Sequence, residues 1–167
     1  MVAIRLAGPA DVGNLHTLVE RAYRGDSARR GWTHEADLLD DERTSAVDLA
    51  ATISAPDKRV LLAERQGQLV GTVTVIDLGG GKAYLGMLCV DPEVQAAGIG
   101  RTLIAESERM AARDFGARTM EMTVIDRRTD LIAWYERRGY HRTGEVRPFP
   151  VLVPVDFAMA VLERSIP

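Results

Sequence analysis

The residues best suited to chemistry run from 95 to 101, Gln95-Ala96-Ala97-Gly98-Ile99-Gly100-Arg101, between an apolar stretch ending in Val90 and a long amphipathic segment. A helix starting here presents unpaired backbone N–H groups and about half a unit of positive charge, which favours an anion. Glycine lets the main chain approach phosphate oxygens without a Cβ in the way. The loop therefore suits a phosphate-bearing ligand, and Arg101 in the first turn can add a charge-assisted bond. It is not an ATP-type loop, because the chain contains no Gly-Lys-Ser/Thr. Nor is it the dinucleotide fingerprint, because Leu103 stands where a third glycine is needed. A bare GxG also describes a simple turn or a close helix contact.

The elements that must hold this loop follow from hydrophobic periodicity. A short strand is expected at 2–6 and a helix at 10–24, with Val12, Leu15, Leu18, Val19 and Ala22 on one face. An irregular stretch covers 25–44, long enough to suggest a functional loop. A second helix spans 45–55, with Ser45 as N-cap. Strands 59–65 and 69–77 flank Gln66-Gly67-Gln68 and read as a hairpin. A further strand, 82–90, ends in the fully apolar Met87-Leu88-Cys89-Val90, as for a buried central strand. The helix 98–115 carries Ile99, Leu103, Ile104, Met110, Ala111 and Phe115 on one stripe and stops at Gly116. A strand at 118–125, a helix at 129–138 with Thr129 as N-cap, and strands at 139–146 and 155–163 complete the order. The class is α/β (α+β): a mixed, mainly antiparallel sheet flanked by helices, with one parallel crossover around the long helix.

With 167 residues, 46% of them hydrophobic, and no repeat or linker, one domain spanning 1–167 is expected. The formal charge of −3 offers no basic field for nucleic acid. Nowhere do 18 apolar residues run together, so no membrane span is expected, and the start MVAIRLAGPADV reads as a poor signal peptide. One cysteine cannot form an internal disulfide, and a cytoplasmic location is expected. His16, His34 and His141 are widely separated, so no metal site is expected. Residues 33–42 hold five carboxylates, Glu35, Asp37, Asp40, Asp41 and Glu42, which attract a cationic partner or form a solvated face.

The run MLCVDPEVQAAGIGRTLI, 87–104, resembles the cofactor-binding motif of the GNAT superfamily of N-acetyltransferases. The run LIAWYERRGYHRTGE, 131–145, resembles that family's second motif, about 30 residues on. The resemblance extends over essentially the whole chain and implies acetyl-CoA as acyl donor. It assigns the pyrophosphate cradle to the amides of Gln95, Ala96, Ala97, Gly98, Ile99, Gly100 and Arg101. It also implies a strand that splays at a bulge, where the main chain of Leu88, Cys89 and Val90 pairs with the pantetheine arm and orients the thioester carbonyl. Tyr135 aligns with the tyrosine that protonates the departing thiolate, flanked by the packing residues Trp134 and Tyr140. Cys89 itself reads as a small buried hydrophobe, since nothing nearby supplies a base for a thiol nucleophile.

Two departures stand out. Arg128 occupies a position where members often carry asparagine; it can still reach an anionic cofactor. The strand 82–88, KAYLGML, lacks the glutamate that some members use as general base. Family topology places 23–44 over the transfer site, which makes Glu35 the candidate base or amine anchor. Arg147-Pro148-Phe149-Pro150 reads as a rigid link to the last strand. The expected function is acetyl transfer to a primary amine of a small molecule, amino acid or peptide, by a monomer or homodimer. The competing reading is a non-catalytic acyl-CoA sensor or scaffold.

Overall fold

The computed structural model describes residues 2–23, 45–94, 97–148 and 156–167. Among the described residues seven strands form one sheet: β1 (Ala3–Leu6), β2 (Lys58–Arg65), β3 (Gln68–Gly79), β4 (Lys82–Val90), β5 (Thr119–Ile125), β6 (His141–Pro148) and β7 (Ala158–Ser165). Their spatial order is β1-β2-β3-β4-β5-β7-β6, antiparallel throughout except between β4 and β5. Among the described residues the α-helices are α1 (Val12–Tyr23), α2 (Ala46–Ser54), α3 (Ile99–Phe115) and α4 (Thr129–Glu136). None of them is long and apolar enough to cross a membrane.

Local chemistry explains most boundaries. Gln66 and Gly67 both have positive φ, 54° and 77°, so they form the two-residue hairpin turn whose twist matches paired strands. The Ser45 side chain accepts from the Asp48 N–H and starts α2. Gly116, at φ 65°, closes α3. Thr129 does not cap α4; Arg128 holds the N-cap position without a side-chain bond, and Thr129 is the first helical residue. That helix ends at Glu136 rather than 138, and β6 begins at His141 because Gly139 turns the chain at φ 99°.

The expected helix start at residue 10 is also displaced. Pro9–Asp11 form a 3-10 turn instead, in which Asp11 accepts from the Gly8 N–H at 2.8 Å. Arg5 donates twice to Asp11, at 2.8 and 2.9 Å, and its Nε reaches Glu64 on β2 at 2.9 Å. These bonds hold the Asp11 carboxyl at about 2, below its usual 3.8. A depressed carboxyl contributes stability that is complete above the unfolded value and lost as pH falls through the folded one. Urea unfolding of Asp11→Asn is therefore expected to depend less on pH than wild type between 3.8 and about 2.

The sheet has a core on each face. Against α3 and α4 lie Val73, Val75, Ala83, Leu85, Met120, Met122 and Leu162, packed with Ile99, Leu103, Ile132 and Tyr135. Against α1 and α2 lie Val60, Leu62 and Cys89, packed with Leu15, Leu18, Val19 and Leu49. The connection β4–α3–β5 is the expected parallel crossover.

Candidate active site

The parallel ladder between β4 and β5 has only three pairs, Lys82–Thr119, Ala83–Met120 and Tyr84–Glu121. Beyond Tyr84 the two strands part, leaving a gap that opens toward Val90 and Ile125. On its other side β4 keeps pairing with β3, but with one residue too many: Thr72 faces Cys89, whereas Thr74 faces Gly86. The extra residue is a bulge, and Met87 within it has φ 51°. Left-handed backbone disfavours a side chain with a Cβ, by roughly 1–2 kcal/mol, so the surrounding pairing must hold it there. The bulge also reverses the alternation of side chains. Leu85 faces the α3 core, and Cys89, four residues on, lies in the opposite core. Buried among leucines and valines, Cys89 is the small hydrophobe expected of it.

The open end of the gap meets the start of α3. Gly98 is the N-cap at φ 78°, and no side chain caps the helix. A Cβ at Gly98 would meet nothing within 4 Å, so its glycine serves the backbone conformation and not packing. Among the described residues the first-turn amides of α3 therefore have no capping side chain. Trp134 packs across Gly100, 3.4 Å from where its Cβ would stand. Arg138 stacks on the Trp134 ring at 4.3 Å and donates to the Trp134 carbonyl at 3.1 Å. Its Nε is buried without an acceptor. Partial burial lowers the Arg138 pKa, and the charges of Arg101 and Arg137 lower it further. Arg101 in the first turn and Arg138 on Trp134, beside a helix start without a side-chain cap, fit an anionic group with several oxygens. Arg137 and Arg138 escaped the sequence reading, although they form an Arg-Arg pair directly before Gly139. Gln95 and Ala96, expected in the cradle, lie outside the described residues.

Tyr135 lies inside the α3 and α4 core, its ring edge-on to Trp134 at 5.1 Å and to Tyr140 at 6.2 Å. Tyr140 is anchored in turn, donating to the buried Glu108 at 2.7 Å, which also accepts from Arg164 at 3.0 Å. Burial pushes the Tyr135 phenol well above its usual 10.0. The Arg128 guanidinium opposes that shift, and Tyr84 and Cys89 of β4 add to it. The phenol is thus within electrostatic reach of β4 and is held protonated at neutral pH. It can donate a proton there and cannot act as a base.

On the face of the sheet away from α3, the acids and bases of neighbouring strands are already paired. Glu121 on β5, 3% exposed, accepts both Arg147 guanidinium nitrogens, at 2.9 and 3.1 Å, with Lys82 Nζ at 3.7 Å. Lys82 binds Glu163 at 2.7 Å, which raises its pKa. Arg147 and Pro148 belong to β6 rather than to the rigid link expected before the last strand; Phe149 and Pro150 lie outside the described residues. The absence of a carboxylate on 82–88 is not made good by Glu121, whose oxygens are committed. Glu35, like the rest of 24–44, lies outside the described residues.

A model of the acetyltransferase (GNAT) family matches residues 15–140. The chain is 32% identical over 115 residues to the IAA acetyltransferase of Azospirillum brasilense, covering 68% of this chain and 73% of that protein. It is 33% identical over 138 residues to the mycothiol acetyltransferase of Cellulomonas flavigena, covering 75% of this chain and 38% of that protein, well under half of its length. Its fold is similar to that of the PaiA N-acetyltransferase from Thermoplasma acidophilum in complex with coenzyme A, with TM-score 0.77, 20% identity and 99% of each chain covered. At that identity the likeness is one of fold.

Proposed function

Because the chain belongs to the GNAT family of acetyltransferases, we propose that it moves the acetyl group of acetyl-CoA to a primary amine of a small molecule, amino acid or peptide. The observation that carries this reading is the three-pair β4–β5 ladder, which opens between the uncapped start of α3 and the buried Tyr135 phenol. As donor substrate, acetyl-CoA supplies an activated thioester on a long arm that ends in phosphates. The amides of residues 95–101 receive the diphosphate, with Arg101 and Arg138 supplying charge. Arg128, at the start of α4, adds positive potential beside the phenol. The main chain of Leu88, Cys89 and Val90 aligns the arm and polarises the carbonyl.

The amine nitrogen forms a bond to the carbonyl carbon, and the carbon–sulfur bond breaks with its electron pair on sulfur. Tyr135 gives its hydroxyl proton to that sulfur, the nitrogen releases one proton, and the phenolate regains a proton from water as CoA leaves. A free thiol has a pKa of about 8.5, below that of a buried phenol, but burial raises the basicity of a thiolate formed in the same gap. Arg128 favours the transient phenolate. Glu35, from its place in the sequence, takes the nitrogen's proton or anchors the ammonium.

Calorimetry of the purified chain with CoA and acetyl-CoA, followed by thiol release over a panel of amines, amino acids and peptides, tests the reading. Saturable heat and thiol release with at least one amine are expected. No heat at millimolar acetyl-CoA would sink it.

A further inference from the structure

The closed end of the gap between β4 and β5 is itself built by side chains. Tyr84 belongs to the last pair of the ladder, opposite Glu121, and its hydroxyl meets Thr123 Oγ1 at 2.6 Å, two residues farther along β5. The ring leans the same way along β4. A Cβ on Gly86 would lie 2.9 Å from Tyr84 Cε1, closer than real Cβ atoms approach, so a side chain at 86 would displace the ring from this position. The ring thus covers the strand as far as Gly86, and the bulge begins at Met87. Only Met87 stands between Gly86 and Leu88, the first residue whose main chain is assigned to the thioester carbonyl.

We infer that Tyr84, tied to Thr123 and lying over Gly86, forms the wall that limits the donor to a short acyl group, with acetyl fitting and longer chains excluded. The inference rests on the proposed acetyl-CoA reading. A donor held by its diphosphate at the start of α3 threads its arm into the gap from the open end, so its acyl group points toward the closed end. About one strand residue of length accommodates a methyl group and not a chain. Thr123 makes the wall rigid: breaking its bond to Tyr84 would leave two hydroxyls to be satisfied elsewhere. Each methylene forced against such a wall is worth about tenfold or more in discrimination.

The test is calorimetric and needs no acceptor: dissociation constants of acetyl-CoA, propionyl-CoA and butyryl-CoA for wild type and Tyr84→Ala, with thermal unfolding to show that the variant is folded. Wild type is expected to bind butyryl-CoA at least about tenfold more weakly than acetyl-CoA, and Tyr84→Ala to bring the two within about threefold. Equal binding of acetyl- and butyryl-CoA by wild type would overturn this inference alone, whether or not the variant folds. So would undiminished discrimination by folded Tyr84→Ala, or its loss of acetyl-CoA binding, since removing a wall leaves the diphosphate anchor in place. Failure of wild type to bind any CoA species would overturn the donor reading and this inference with it.

Discussion

Replacing Tyr135 with phenylalanine is expected to lower kcat by about 10²- to 10⁴-fold, the usual worth of a positioned general acid, with acetyl-CoA affinity close to that of wild type. The ring stays, so its edge contacts with Trp134 and Tyr140 stay, and only the proton is removed. Burial places the phenol above its ordinary 10.0, so wild type keeps the donating form throughout the neutral range. The loss is therefore expected to be uniform with pH below that value. Any alkaline limb near neutrality must belong to another group. Steady-state kinetics on the amine found by screening, with calorimetry on the same preparations, checks both halves. A variant as fast as wild type would reduce Tyr135 to a packing residue. A wild type that binds acetyl-CoA yet releases thiol with no amine would favour the sensor reading.

The second large effect concerns stability. Glu121→Ala is expected to reduce the unfolding free energy by about 3 kcal/mol, the low end for breaking a buried ion pair, because Arg147 and Lys82 remain partly in water. At about 2–4 °C per kcal/mol for a chain of this size, Tm should fall by about 6–12 °C. The loss arises because Arg147 loses its two-pronged acceptor and a buried volume is vacated in the sheet, while Lys82 keeps Glu163 and Arg147 keeps Glu145. Glu145 binds the same arginine from the surface at 2.7 Å with 54% exposure. Glu145→Ala should therefore shift stability by less than about 0.5 kcal/mol. Equal effects of the two substitutions in urea unfolding would show that burial of Glu121 does not govern the cluster.

Much of the frame could be read from the residues in order. The Gln66-Gly67 turn, the Ser45 cap, the stripe on α3 and its glycine stop are local features, each set by residues within a turn or two. The helix start after Gly98, with a backbone suited to an anion, was legible for the same reason, since a helix start leaves its first amides unpaired wherever it occurs. The bulge was not. KAYLGMLCV reads as one strand with a fully apolar end, and simple alternation would put Leu85 and Cys89 on the same face. Only pairing with β3 inserts the extra residue at Met87 and sends Cys89 to the other core.

The chain's own order of residues thus determined its elements, their sequence and the loop suited to an anion, because hydrophobic period, capping and backbone freedom act over a few residues. Tertiary structure alone decided that the β4–β5 ladder stops after three pairs, that Tyr84 meets Thr123 across 39 positions, and that Arg147 claims Glu121. It also set Arg138 on Trp134 beside Arg101. These contacts depend on where strands diverge and which faces meet. That outcome follows from packing two cores against one sheet, which no local stretch of residues encodes.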